Sequence, residues 1–419
     1  MPASKLISLD VAIRNIKSNF KKISNEDVFL QNSLGRCLAE PIYSKVDNPK
    51  YDVSSMDGYA INFKDFTELN SNNKNNSKKA INFKVIGESS AGNPFEKKIK
   101  NFEAVRIFTG AKVPRGCDVV IIQENVHTSS DQKYISTQSN VIKYQNIRKK
   151  GLDFKKGECI FKIGSLIKSR HIGSIAMTGQ TWVTVSRKPV VSILSTGNEI
   201  LRVGEQLTKD QIPSGNSLML AAMVSEFGGT PRILPITDDD ENNIYNTLNE
   251  ALDSDLIVST GGVSVGKYDL IQKGLENFKG ENQNEFWKIA MRPGKPLLFS
   301  KINNTPLIGL PGNPVSSGVC SLIFVNIAIR SMLGVTGVYP VFEKATLNVN
   351  LSVNDKRMDF VRAKINRKDG NILVTPFKKQ DSSMITQFAH SDCLIVRDPF
   401  EEVKNKGELI KILRFPNNV

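Results

Sequence analysis

One stretch constrains the fold more than any other: Asp255-Leu-Ile-Val-Ser-Thr-Gly-Gly-Val-Ser-Val-Gly-Lys-Tyr-Asp269. Residues 256–258 are a short apolar run bounded by turn residues, the pattern of a buried strand. The chain then enters a loop containing Gly261, Gly262 and Gly266, with Ser264 among them. Glycine reaches backbone angles that a side chain forbids, so such a loop can turn several N–H groups toward one anion. Asp269 follows and opens an apolar-periodic segment (Leu270, Ile271, Gly274, Leu275, Phe278) that predicts a helix. Strand, glycine loop, acid and helix together suit a phosphate with a divalent cation. Taken alone, the loop is equally well explained as a tight connection that needs glycine for its shape, so its neighbours decide.

Those neighbours repeat the pattern. Between 186 and 334, predicted strands at 190–194, 232–236, 256–258, 286–291, 296–302 and 305–310 are interleaved with predicted helices. This alternation predicts a parallel α/β sheet. The polar motifs at 195–199, 238–240, 259–269, 292–295 and 311–314 each follow the carboxyl end of a predicted strand. Ligands bind at that edge in open α/β sheets. Asn313-Pro314 predicts an N-cap with proline at the first helical position, which aims a helix N-terminus at the same edge. Glu199, Asp269 and the 238–240 cluster, Asp239 included, are the candidate magnesium ligands, because magnesium takes carboxylates plus phosphate oxygens and water. Lys295 and Arg292 are the candidates for balancing the remaining negative charge.

Ser8 predicts a helix cap, with Leu9, Ile13, Ile16 and Phe20 on one face. Met56-Asp-Gly-Tyr-Ala60 reads as a turn between two extended pieces. Residues 70–79 form a low-complexity polar loop. Predicted strands at 83–86, 104–108, 119–123 and 141–144, with the turn Thr109-Gly110-Ala111, indicate a small β-rich domain. Residues 148–157 make a basic turn around one carboxylate, Asp153, which is either a solvated face or the lip of an anion site. A helix is predicted over 169–177. After 335 the pattern is strands, at 345–353, 360–366, 372–377, 393–396 and 409–413, which predicts a barrel or a sandwich.

Bulk composition limits the function classes. The 419 residues suffice for about three domains. The net charge of +14 permits nucleic acid or small anions as partners. The lysines, however, are spread out and mixed with asparagine, and neither an RNA-binding aromatic motif nor a DNA-reading helix is present. No nucleic-acid partner is expected. The five cysteines lie far apart without a CxxC pair, which fits a reducing cytoplasm rather than a disulfide or zinc framework. Three scattered histidines do not suit a Ser-His-Asp triad. The most membrane-like run, 319–335, carries Asn326 and Arg330 and is expected to be a buried helix, so no membrane partner is expected.

Several motifs in order carry a family resemblance. They are Ser55-Met-Asp-Gly-Tyr-Ala60, Thr109-Gly-Ala111, Gly151-Leu-Asp153, Ser195-Thr-Gly-Asn-Glu199, Ser259-Thr-Gly-Gly-Val-Ser-Val-Gly266 with Asp269, Pro293-Gly-Lys-Pro296 and Leu310-Pro-Gly-Asn-Pro-Val-Ser316. Together they resemble the molybdopterin molybdenumtransferase family, which includes MoeA and the gephyrin E domain, over nearly the whole chain. The resemblance implies a multidomain α/β fold. Residues 1–46 with 147–180 would form an elongated dimerisation domain, and 47–146 a β-rich inserted domain. Residues 181–334 would form an adenylyltransferase-like α/β domain that binds molybdopterin, and 335–419 a C-terminal β-barrel.

The implied reaction joins molybdate to adenylylated molybdopterin, cleaves the phosphoanhydride, releases AMP and requires Mg2+. The implied assembly is a homodimer whose active site lies between the α/β domain of one subunit and the β-rich domain of the other. A molybdopterin adenylyltransferase is then a further partner. Asp57, Asp153, Glu199, Asp269 and Lys295 become the expected catalytic residues, with Glu199, Asp239 and Asp269 at the metal. Substrate contacts are expected from Thr109, Gly110, Ser195, Thr196, Gly197, Gly261, Gly262, Ser264, Gly266, Arg292, Pro311, Gly312, Asn313, Pro314 and Ser382.

The sequence departs from the family at Asn198, where Asp is frequent, and at Ser214-Gly-Asn216, where Asp-Ser-Asn or Asp-Thr-Asn is common. Arg292 stands where some members carry Lys. Two other readings remain: the adenylyltransferase of the preceding step, and a scaffold without turnover.

Overall fold

The computed structural model describes residues 6–71, 80–262, 270–278, 283–337, 340–368 and 370–415. At its centre is a six-stranded sheet. In chain order its strands are β1 (Val190–Ser195), β2 (Thr230–Ile233), β3 (Leu256–Thr260), β4 (Gln283–Lys288), β5 (Pro296–Ile302) and β6 (Thr305–Leu310). Across the sheet they run β2-β1-β3-β6-β5-β4. The first four are parallel neighbours: Ile193 sits beside Ile233 and Val258, and Val258 beside Ile308. Strands this apolar need cover on both faces. Val191, Ile193, Val258 and Ile308 pack into one core with the helices Gly215–Phe227 and Pro314–Leu333. Leu194, Ile257 and Leu307 pack into another, against Ile244 and Leu248 of the helix Glu241–Glu250 and Ile271 and Leu275 of the helix Leu270–Glu276.

The sheet is mixed, not wholly parallel. β5 and β6 form an antiparallel hairpin with Phe299 opposite Ile308, and β4 pairs antiparallel with β5. The cause is the connection. Only Asn303 and Asn304 separate β5 from β6, both at positive φ. A two-residue turn of that kind joins antiparallel strands, whereas parallel strands need a long crossover. The strand predicted at 286–291 is also divided. Met291–Arg292 pairs instead with Met358 and Asp359 of the C-terminal domain.

The helix Pro314–Leu333 is long and apolar enough to cross a membrane, yet Val315, Val319, Phe324, Ala328 and Ile329 are all in the core. The N-terminal helix Leu9–Asn19 begins at Ser8, whose Oγ accepts from the Val11 N–H at 3.4 Å. It buries Leu9, Ala12, Ile13 and Ile16. These side chains join the core of the α/β domain, as does Phe20, edge-on to Phe299 at 6.3 Å. The helix thus packs with the central domain, although sequence order groups it with the segment before residue 46.

Beyond it, the strand Asn25–Phe29 pairs with Trp182–Ser186, and Ile42–Tyr43 with Cys159–Phe161, around a small core of Leu38, Ile167, Ile175 and Val185. The inserted domain is a six-stranded sheet in the order Val119–Ile122, Gly58–Ile61, Glu103–Ile107, Ile81–Ser89, Tyr134–Thr137, His127–Thr128. Residues 141–144 are not the strand expected of them. Tyr144 and Asn146 have positive φ, which turns the chain, and Tyr134–Thr137 pairs with Ile81–Ser89 on one side and His127–Thr128 on the other. At the C-terminus the strands Phe342–Leu347, Met358–Lys368, Asn371–Pro376, Cys393–Arg397 and Leu409–Arg414 close into a barrel. Met358–Lys368 completes it by pairing with both Asn371–Pro376 and Cys393–Arg397.

Candidate active site

Because β1, β2, β3 and β6 are parallel, their carboxyl ends emerge at one edge of the sheet. β5 runs the other way, so its first residue, Pro296, reaches that edge too. The loops enclose a cleft of about 1110 Å3. After β1, Ser195, Thr196, Gly197, Asn198 and Glu199 line it. Asp239 lines it after β2, Thr260, Gly261 and Gly262 after β3, and residues 311–314 after β6.

These loops touch one another closely. Gly261 has φ +88°, and a Cβ there would lie 2.8 Å from the Thr196 carbonyl oxygen. Only glycine allows that approach. Asn216, in the first turn of the helix Gly215–Phe227, ties two more loops together. Its Nδ2 donates to Thr260 Oγ1 at 3.0 Å and to the Gly312 carbonyl at 2.7 Å. The N–H groups of Gly312 and Asn313 bond to no other described residue, so they remain available to an anion at the helix N-terminus. The Ser195 and Thr196 hydroxyls, buried in the same wall, also have no described partner. Buried polar atoms are normally satisfied, so orphans at a cleft indicate a missing ligand or water.

The C-terminal domain supplies one wall. Ser383 and Ile385 line the cleft. The buried Arg362 holds this segment by donating to the Asp381 carbonyl at 2.9 Å and the Met384 carbonyl at 3.2 Å. Ser382 caps the long helix: Asn313 Nδ2 donates to its Oγ at 2.9 Å, and the Val315 N–H to its carbonyl at 3.1 Å.

Glu199 and Asp239 bring negative charge to the cleft. Glu199 folds back so that its carboxylate covers Gly197. Burial pushes the Asp239 carboxyl up. An Asn198 N–H opposes that shift, and the charges of Glu199 and Asp238 add to it. No group of three metal-binding side chains occurs among the described residues. The carboxylates of Glu199 and Asp239 in one cleft nonetheless fit Mg2+, which dispenses with an all-protein cage.

Residues 7–179 match the MoeA N-terminal region (domain I and II), 192–331 a probable molybdopterin binding domain, and 344–415 the MoeA C-terminal region (domain IV). The molybdopterin molybdenumtransferase of Bacillus subtilis strain 168 is 31% identical over 410 residues, covering 97% of this chain and 94% of the relative. That of Staphylococcus aureus strain COL is 31% identical, covering 93% and 91%. This chain belongs to the molybdopterin molybdenumtransferase family. The solved molybdopterin biosynthesis moeA protein of Pyrococcus horikoshii OT3 is similar throughout, with a TM-score of 0.84, 27% identity and coverage of 98% and 100%.

Within this family fold, the expected site residues fall into three places. Ser195, Thr196, Gly197, Glu199, Asp239, Gly261, Gly262, Pro311, Gly312, Asn313 and Pro314 come together in the cleft. Lys295 is exposed next to Pro296, at its edge. Ser264, Gly266 and Asp269 lie outside the described residues.

The remaining expected residues sit elsewhere. Arg292 pairs with Asp355 at 3.2 Å and with Asp359, because its short strand has left the central sheet for the barrel. It does not line the cleft of its own chain. Ser382 backs the cleft through Asn313, while its neighbour Ser383 lines it. Asp57, Thr109, Gly110 and Asp153 belong to the inserted domain and its hinge. Asp57 accepts from the Thr109 N–H at 2.7 Å and hydroxyl at 2.8 Å. Asp153 accepts from Asn48 Nδ2 at 3.0 Å. None of the four lines the cleft of its own chain.

Sequence reasoning passed over Asn216 and Arg362. Asn216 carried a signal, since it preserves the Asn of the family triplet. Arg362 carried none, because one arginine in a predicted strand reads as a solvated residue.

Proposed function

We propose that this chain inserts molybdenum from molybdate into adenylylated molybdopterin, cleaving the phosphoanhydride and releasing AMP to give molybdenum cofactor. The observation that carries the reading is the sheet-edge cleft, with two carboxylates and with N–H groups that bond to no other described residue, in a chain related over nearly its full length to molybdopterin molybdenumtransferases. Both substrates are anions. Preorganised N–H groups at the Gly312–Asn313 turn would bind the pyrophosphate without reorganising during reaction. Lys295, at the edge, adds a positive charge. Asn216 and Arg362 keep the two sides of the cleft in register.

Mg2+ is the proposed metal. Glu199 and Asp239 would hold it, with Asp269 as a further ligand, and when bound it supplies positive charge to phosphoryl oxygens.

The proposed assembly is a cytoplasmic homodimer. In it the partner's copies of Asp57, Thr109, Gly110 and Asp153 would face this cleft. Two features support this: those residues do not line their own cleft, and the N-terminal domain leaves Leu34, Met177 and Trp182 exposed. All five cysteines are unpaired, as in a reducing compartment. A molybdopterin adenylyltransferase would hand over the substrate.

The test is reconstitution. Purified protein given adenylylated molybdopterin, molybdate and Mg2+ should activate a cofactor-free molybdenum enzyme. Formation of adenylylated product from ATP and molybdopterin instead would move the chain to the preceding step.

A further inference from the structure

In the inserted domain the strand Gly58–Ile61 runs between Val119–Ile122 and Glu103–Ile107. Arg106, on one flanking strand, pairs directly with Tyr59, and Phe108 lies two residues further on, so the three side chains share one face. The Arg106 guanidinium carbon sits 5.0 Å from the centroid of each ring. Its Nη2 donates to Gln123 Oε1 at 2.6 Å, and its Nη1 reaches the Gly58 carbonyl at 3.5 Å. Gln123 follows the other flanking strand, and its own N–H donates to the Asp57 carbonyl at 3.1 Å. Arg106 thus spans the central strand and grips the backbone at Asp57 and Gly58, at one directly and at the other through Gln123.

Among the described residues Arg106 forms no ion pair; its polar partners are Gln123 and the Gly58 carbonyl. Asp57 takes both Thr109 bonds on Oδ1, and no described residue donates to its Oδ2. A direct bridge to Arg106 would cover that oxygen. The arrangement leaves it open while keeping a cation close, and a guanidinium stacked between two rings is already fixed in place. We propose that Arg106 is the positioning residue for Asp57: it locks the turn so that the open carboxylate oxygen is presented to the partner subunit's cleft. The proposal rests on the function and the homodimer proposed above, and adds to them a residue that touches neither substrate nor metal.

The test uses two variants of the full chain. Arg106→Lys keeps the charge but loses the planar fork. Gln123→Ala removes the fork's partner at an exposed position and leaves the cation in place. In both, amide hydrogen exchange at positions 109 and 123 should quicken about tenfold or more, while Ile81–Ser89 in the same sheet keeps its protection. For AMP release, kcat should fall about tenfold or more with KM within about twofold, the mark of a group that matters only in the transition state. Added to Asp57→Asn, Arg106→Lys should cost no further activity, because both changes act through one carboxylate. Unchanged exchange at both positions, faster exchange throughout the sheet, full kcat in Arg106→Lys, or losses that add in the double variant would each overturn the proposal. Faster exchange confined to positions 109 and 123, in a protein that releases no AMP in any form, would uphold the positioning of Asp57 and remove the proposed reaction.

Discussion

Gly58 shows how tightly single residues are specified. It lies in the Met-Asp-Gly-Tyr turn, where a Cβ would fall 1.9 Å from the Ile121 carbonyl oxygen on the neighbouring strand. Gly58→Ala must push two paired strands apart and should cost about 3 kcal/mol or more, read as a lower urea midpoint; an unchanged midpoint would contradict the packing. Next to it, the Thr109 N–H and then its hydroxyl hold the Asp57 carboxyl below the usual carboxylate range. A carboxyl depressed by folding adds stability above its unfolded pKa, and loses it as pH falls through the folded value. The turn should therefore be indifferent to pH near neutrality and loosen only in acid. Thr109→Val should move the Asp57 titration upward, followed by the NMR shift of its carboxyl carbon; an unmoved titration would mean the hydroxyl bond is unimportant. If Mg2+ binds as proposed, it should raise the melting temperature of the AMP-bound protein, and Glu199→Ala should abolish that rise; a rise that persists in the variant would contradict the role of Glu199. Residue types such as Glu199 and Gly261 could be read from their motifs. Arg362 could not, because nothing local in sequence announces that a strand arginine will be buried among carbonyls.

Among the elements, the glycine loops were readable because strand, glycine and helix follow each other within one short stretch. Arg292 shows where this local reading stops. Its motif follows a predicted strand like the others, but Met291–Arg292 pairs with Met358 and Asp359, more than sixty positions away. Long-range pairing of that kind has no local signature. In its place Arg292 holds two carboxylates of the barrel in a half-exposed cluster, a type of pair worth about 0–1 kcal/mol. Arg292→Ala should therefore lower stability by no more than about 1 kcal/mol and leave substrate affinity essentially unchanged. A hundredfold loss of affinity with unchanged stability would instead return Arg292 to the substrate. Asn216→Ala should behave differently. It removes the donor shared by the Thr260 hydroxyl and the Gly312 carbonyl, a loss of about 1–3 kcal/mol, which falling on the transition state would lower kcat/KM roughly fivefold to 150-fold. The same loss should also appear as a lower melting temperature. The hairpin Asn303-Asn304 teaches the same lesson in reverse, since two residues set the direction of β5 and so bring Pro296 to the cleft.

For the molecule as a whole, the cleft is divided between domains of one chain, and by the proposed assembly between two chains. The α/β domain and the barrel form the cleft seen here. The Asp57–Thr109 cluster stands apart from it. If the partner's cluster completes the site, mixing Asp57→Ala with Glu199→Ala protein under conditions of subunit exchange should restore activity, because each mixed dimer regains one intact site. Two inactive variants that stay inactive together would place all catalytic groups in one chain. Strand patterning left a barrel or a sandwich open at the C-terminus, and the family resemblance implied the barrel; neither announced the packing of the N-terminal helix on the central core, since it depends on Phe20 meeting Phe299 across most of the sequence. The most direct measurement is AMP release from adenylylated molybdopterin by the purified protein, with molybdate and Mg2+ each present or withheld. The account predicts release that needs both and is lost in Glu199→Ala. AMP release that ignores molybdate, or tight binding of the substrate with no release at all, would contradict it.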